Sequence, residues 1–157
     1  MNINLSELHI LLADDDTDDC IFFEEAIAEL TATTNFTAVH DGEQLMQLLT
    51  NKITILPHIL FLDLNMPRKN GFECLEEIKN NSQLKNLPVV IFSTSFEQEV
   101  VNLLYVKGAH YFIRKPSDFT LFKKIILHSI LLIIEFGGST QPAKEDFVLT
   151  VESTLAI

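Results

Sequence analysis

The 157-residue sequence contains no tryptophan and only 2 cysteines, 5 glycines and 5 prolines. Cys20 and Cys74 are too few for a disulfide framework or a cysteine metal cluster. Both fall in amphipathic helical patterns and read as small buried hydrophobes. The scarcity of glycine and proline excludes collagen-like and low-complexity chains, and the absence of a repeat of twenty to fifty residues excludes solenoids. Positive charge is also scarce, with 11 basic against 22 acidic residues and a net charge of −11. Such a surface repels a phosphate backbone, and the most basic stretches are the pairs Arg68–Lys69 and Lys123–Lys124, so no nucleic-acid partner is expected. Long apolar runs are missing too. The longest, Ile125 to Ile134, is interrupted by His128 and Ser129 and is too short to cross a bilayer. The residues before Asp14 lack the basic-then-apolar order of a signal peptide. A soluble, cytoplasmic chain without a membrane partner is expected.

Two kinds of apolar segment alternate along the chain. His9 to Ala13, Phe36 to His40, His58 to Leu62, Val89 to Phe92 and Tyr111 to Ile113 are short continuous runs, as strands buried on both faces require. Between them the apolar residues recur at helical spacing: Phe23, Ala26, Ile27 and Leu30; Leu45, Leu48 and Leu49; Phe72, Leu75 and Ile78; Val100, Leu103 and Leu104; Leu121, Phe122, Ile125 and Ile126. Asp16 or Thr17 is placed to cap the first helix, and Gly108 to end the fourth. The pattern predicts an α/β fold of (βα)5 type, with strands near 8–13, 35–40, 58–63, 88–93 and 110–113. Strict alternation implies right-handed crossovers and a parallel sheet covered by helices on both faces.

In such a sheet, ligands bind beyond the carboxyl ends of the strands. The chemistry-bearing residues fall there. Asp14 and Asp15 close the first strand, Asp63 the third and Ser93 the fourth, and Lys115 follows the fifth. Converging carboxylates repel one another until a proton or a cation neutralises them, and magnesium suits a few carboxylates plus retained waters. Asp63 is a candidate nucleophile toward phosphorus, and Lys115 offers a compact positive charge for phosphoryl oxygens. Lys115 precedes Pro116, and an X–Pro bond that adopts cis would fix the lysine's direction. Ser93 could donate a hydroxyl to the same group, although Thr94 and Ser95 compete for that role.

These residues resemble the receiver domains of two-component response regulators over roughly residues 7–135. The matching pieces are Leu-Leu-Ala-Asp14-Asp15-Asp16, Phe-Leu-Asp63-Leu-Asn-Met-Pro67 running on to Gly71, Val-Val-Ile-Phe-Ser93, and Tyr-Phe-Ile-Arg-Lys115-Pro116. The thirty-residue step from Asp63 to Ser93 and the further twenty-two to Lys115 also match. The resemblance implies a flavodoxin-like doubly wound parallel sheet of strand order 2-1-3-4-5. It implies Asp63 as phosphoacceptor, and Asp14, Asp15, Asp63 and the backbone carbonyl of Asn65 as ligands of magnesium or manganese. Lys115 becomes the phosphate-pairing lysine, and Ser93 and Phe112 the switch residues. Phosphorylation would draw in Ser93 and leave space for Phe112 to rotate inward. The resemblance further implies no enzyme of independent substrate, but a domain that assists its own phosphotransfer and dephosphorylation. Its partners would be a histidine kinase or phosphotransfer protein and a downstream protein target. Within the family the chain looks most similar to short single-domain regulators of phytochrome-like kinases.

Residues 1–136 are expected to form the receiver domain and 137–157 a linker and tail with no output domain. Gly137 to Pro142 has linker composition, and Phe147-Val-Leu-Thr-Val would form a strand or dock onto the body. The last helix is apolar beyond one stripe, with Ile130, Leu131, Leu132, Ile133, Ile134 and Phe136, so either the tail or a second copy in a homodimer should cover it. Three other readings compete with this one. A haloacid-dehalogenase-type phosphatase, with Asp14 as nucleophile and Asp16 as acid, meets Asp18 where that family has Thr or Val. A calcium loop through Asp14, Asp16, Asp18 and Glu25 meets Asp19 where glycine is needed. A receiver fold that binds without phosphorylation keeps no need for the full reactive set.

Overall fold

A computed structural model describes residues 7–30, 33–138 and 140–150. Expectations that touch residues 1–6, 31–32, 139 and 151–157, including the end of the tail, lie outside the described residues. Strands and helices alternate: β1 Leu8–Ala13, α1 Thr17–Ile27, β2 Thr34–Val39, α2 Gly42–Thr50, β3 Ile59–Asp63, α3 Gly71–Asn80, β4 Val89–Ser93, α4 Gln98–Val106, β5 Tyr111–Arg114 and α5 Phe119–Phe136. A short 3-10 turn at Lys144–Asp146 then leads into β6, Val148–Leu149. The sheet runs β2-β1-β3-β4-β5-β6, and the paired strands are parallel.

The continuous apolar runs are explained by burial on both faces, because successive side chains in a strand point to opposite sides. Leu11, Ala13, Leu60, Leu62, Val89, Ile91 and Phe112 pack with α2, α3 and α4 on one face. Ile10, Leu12, Ile59, Phe61, Val90, Phe92, Tyr111 and Ile113 pack with α1 and α5 on the other. Phe23 stands at the centre of the second layer, edge-on to Phe61 at 4.9 Å and to Phe122 at 5.6 Å, with Phe92 at 5.1 Å. Burial of each such ring contributes about 1.5–3 kcal/mol.

Helix starts are written in short polar side chains. Asp16 caps α1, accepting from the amides of Asp18 and Asp19. Asp41 accepts from the Gln44 amide, Asp118 from the Leu121 amide, and Asn70 forms a reciprocal capping box with Glu73. Among these five helices α4 alone lacks a side-chain capping bond, and it exposes Leu103 and Val106. Gly108, at φ +99°, ends α4 in a conformation that a side chain would strain.

The tail does more than link. Val148 and Leu149 add a sixth strand beside Phe112 and Ile113. Phe147 is buried against Tyr105, whose hydroxyl donates to the Pro142 carbonyl at 2.9 Å. Gln141 Nε2 donates to the carbonyls of Tyr105 and Ala109, both at 2.7 Å. Leu149 joins the core layer of Ile130 and Ile133 on α5. A cleft lined by Leu132, Phe136, Pro142 and Val148 lies between the tail and the end of that helix, and Leu131 and Phe136 stay exposed.

Candidate functional site

Three strands deliver carboxylates and an ammonium to one end of the sheet. Asp14 follows β1 directly, its amide bonded to the Val39 carbonyl at 3.0 Å, and Asp63 is the last residue of β3. Lys115 follows β5, with its amide donating to the Ser93 carbonyl at 2.8 Å. Carboxylate oxygens of Asp14, Asp15 and Asp63 lie within 4.8 Å of one another. Asp14 and Asp63 are buried and Asp15 is exposed, so the cluster opens to solvent on one side.

The ammonium of Lys115 reaches Asp19 Oδ2 at 2.7 Å, Asp14 Oδ2 at 3.3 Å and Asp63 Oδ2 at 3.8 Å. It also lies 4.4 Å from the centre of the Phe92 ring. Among the described residues no peptide bond is cis, Lys115–Pro116 included, so these contacts rather than a cis bond direct the lysine. Burial alone would lower the Lys115 pKa, but Asp19, Asp14 and Asp63 outweigh it and hold the pKa above its ordinary value.

Burial first, and then the side-chain contact with Asp19, push the Asp14 carboxyl up to about 8 against the opposing pull of the Asp16 amide and Lys115. Asp63 is also raised, chiefly by burial, with Lys115 opposing. Three close carboxylates facing one ammonium therefore favour retaining a proton, the state that a divalent cation would replace. The donor set is hard oxygen, open on the Asp15 side, and fits divalent-cation binding. Cys20, beside the Asp14 carbonyl, is held up to about 11 by burial and by Asp14, Asp19 and Asp16, which leaves it an inert thiol.

The loop after Asp63 is held by backbone contacts. The Asn65 amide donates to Asp63 Oδ1 at 3.4 Å, and the Gly71 amide to the Leu64 carbonyl at 3.0 Å. A Cβ on Gly71 would stand 2.4 Å from the Asp63 carbonyl oxygen, so glycine lets α3 start close against the end of β3 without shifting that backbone. Ser93 is buried at the end of β4, its hydroxyl 3.3 Å from that of Ser95 and accepting from the Ser95 amide at 3.3 Å. Phe112 already lies inward, 1% exposed and edge-on to the half-exposed Phe96 at 5.8 Å. The inward rotation expected from the sequence has no distance left to travel in this conformation.

All the singled-out residues that carry side-chain chemistry come to this end of the sheet. Two further contacts at the site have no counterpart in the sequence pattern. Asp19 makes the shortest ion pair of Lys115, and His40 Nδ1 donates to the Asp14 carbonyl at 3.2 Å. The helical offset of Asp19 from its cap Asp16 was readable, but not which cation it meets.

A model of the response regulator receiver domain matches residues 10–127. The response regulator Rcp1 of Synechocystis sp. strain PCC 6803 is 31% identical over 121 residues, which span 74% of this chain and 82% of the relative. The structure of the manganese-bound form of Rcp1 superposes with a TM-score of 0.75 at 28% identity, covering 87% of this chain and 99% of the other. The phosphorylated cyanobacterial phytochrome response regulator RcpA superposes with a TM-score of 0.76 at 28% identity and the same coverage.

Proposed function

This chain belongs to the response-regulator receiver family, and from that premise we propose that Asp63 is its phosphoacceptor. A receiver domain is a signalling domain that works with a histidine kinase or phosphotransfer partner. The observation that carries the assignment is the convergence of buried Asp63 with Asp14, Asp15 and the Lys115 ammonium at one end of the sheet.

In this reading an Asp63 carboxylate oxygen attacks the phosphorus of a phosphohistidine or a small acyl phosphate. The new O–P bond forms as the donor's P–N or P–O bond breaks, and the donor leaves with that electron pair. Asp14, Asp15, Asp63 and the Asn65 carbonyl would hold magnesium or manganese, which when bound supplies positive charge against the carboxylates and the phosphoryl oxygens. Lys115 pairs with an equatorial phosphoryl oxygen, and burial strengthens that pairing. Ser93 leaves Ser95 to donate its hydroxyl to the same group. The change passes to α4, whose start carries no side-chain capping bond, and to the outer face of α4, β5 and α5. The same pocket assists hydrolysis of the acyl phosphate and resets the signal.

The kinase partner is of the phytochrome-associated kind, in a cytoplasmic setting, with signalling through a downstream protein and not through nucleic acid. Among the described residues no helix is long and apolar enough to cross a membrane. Exposed Leu131 and Phe136 on α5 support docking of a second copy there. The elements from β1 to α5 act as the receiver unit, and residues 140–150 dock beside it as a tail.

Intact-protein mass after incubation with acetyl phosphate tests the assignment. One phosphoryl adduct that requires both a divalent cation and Asp63 is expected. An adduct that persists in Asp63→Ala would refute it.

A further inference from the structure

Lys115 is nearest to the carboxylate that it would not serve in phosphotransfer. Its ammonium is 2.7 Å from Asp19, 3.3 Å from Asp14 and 3.8 Å from Asp63. The first distance is a short charge-assisted hydrogen bond, and the last is outside hydrogen-bond reach. Both partners of the short pair are shielded, with side chains 9% and 15% exposed, so solvent screens the pair less than a surface one. The Asp19 backbone is held at the start of α1, where its amide donates to Asp16 Oδ1 at 3.4 Å. Lys115 is fixed at its backbone by the Ser93 carbonyl. To donate to oxygens on Asp63, the ammonium must close about 1 Å, and it starts from its tightest contact.

Resting on the phosphoacceptor reading above, we propose that Asp19 is a positioning residue that holds the Lys115 ammonium off Asp63 until a phosphoryl group draws it across. The Asp19–Lys115 pair then opposes the phosphorylated state, and removing the Asp19 charge favours that state. This effect is distinct from the general relief of negative charge around the site. The chain carries its own control in Asp18, an exposed acid in the same helical turn that makes no ion pair among the described residues.

Binding of beryllofluoride, a stable stand-in for a phosphoryl group on a carboxylate, separates these effects. Its bound resonance is followed by fluorine NMR at saturating magnesium in wild type, Asp19→Asn, Asp18→Asn and Asp19→Glu. Asp19→Asn should bind about fivefold more tightly than Asp18→Asn, the size expected for one partly shielded ion pair. Asp19→Glu, which restores the charge, should fall back toward wild type. Asp19→Ser is a second neutral variant with the same expectation, should Asp19→Asn not fold. Equal affinities of Asp19→Asn and Asp18→Asn, or weaker binding by Asp19→Asn, would overturn the role of Asp19 while leaving the phosphoacceptor intact. A wild type that binds no beryllofluoride would bring down the phosphoacceptor reading, and the Asp19 role with it.

Discussion

Raising the pH from 6 to 8 should strengthen magnesium binding steeply, because the cation must displace a proton from the buried cluster. Asp14 is held at about 8 against an ordinary value of 3.8, first by burial and then by Asp19. At pH 6 the carboxylate form of such a group is about one per cent of the total. Apparent affinity for magnesium should therefore rise about tenfold per pH unit up to 8 and then level off. The folding consequence has the opposite sign without the cation. A carboxyl whose folded pKa is raised stabilises the protein fully below its unfolded value and loses that contribution as pH climbs through the folded one. The cation-free protein should thus lose stability from about pH 4 to 8, and magnesium should restore progressively more of it across that window. Calorimetry in two buffers of different protonation enthalpy counts the protons released, and about one per magnesium is expected between pH 6 and 7. Asp14→Asn should bind magnesium more weakly and lose the pH dependence. Flat wild-type affinity between pH 6 and 8, with no proton released, would refute the reasoning.

Gly71→Ala places a Cβ 2.4 Å from the Asp63 carbonyl oxygen and 2.8 Å from the Leu64 Cα. It should cost about 1–3 kcal/mol in chemical denaturation and slow phosphorylation by acetyl phosphate, and an unchanged rate would show that this contact does not set the acceptor's position. Phe147→Ala empties the site of a ring that is 1% exposed and should cost about 3–5 kcal/mol. In hydrogen exchange the Phe112 amide, which donates to the Phe147 carbonyl at 3.0 Å, should lose protection before the rest of β5. Ser93→Ala should still accept a phosphoryl group but fail to transmit it, so the phosphorylation-induced exchange changes in α4 should vanish. Persistence of those changes would separate Ser93 from the switch.

Much of this was legible in the sequence because a parallel sheet leaves a strong imprint. Strands buried on both faces must be continuously apolar, and β1, β3, β4 and β5 were found within a residue at each end. β2 was placed as closely, at 35–40 against Thr34–Val39, although it lies at the sheet edge with Asn35 and Thr37 exposed and its apolar run begins only after the strand does. Asp14, Asp63, Ser93 and Lys115 followed from strand ends, where the topology dictates convergence. Asp19 was hidden because an acid in a first helical turn is ordinarily explained by the helix dipole, and only tertiary packing brings Lys115 to it. The tail left two outcomes open. Val148 and Leu149 have strand-like composition, but their place depends on a free β5 edge and on anchors at Gln141 and Tyr105 that no local pattern reveals.

The central claim is that Asp63 itself carries the phosphoryl group. Borohydride reduction of the phosphorylated protein converts an aspartyl phosphate to homoserine, and peptide mapping locates it. The account predicts homoserine at position 63 alone, and only when a divalent cation was present during phosphorylation. Homoserine at another aspartate, or cation-independent labelling at position 63, would contradict it.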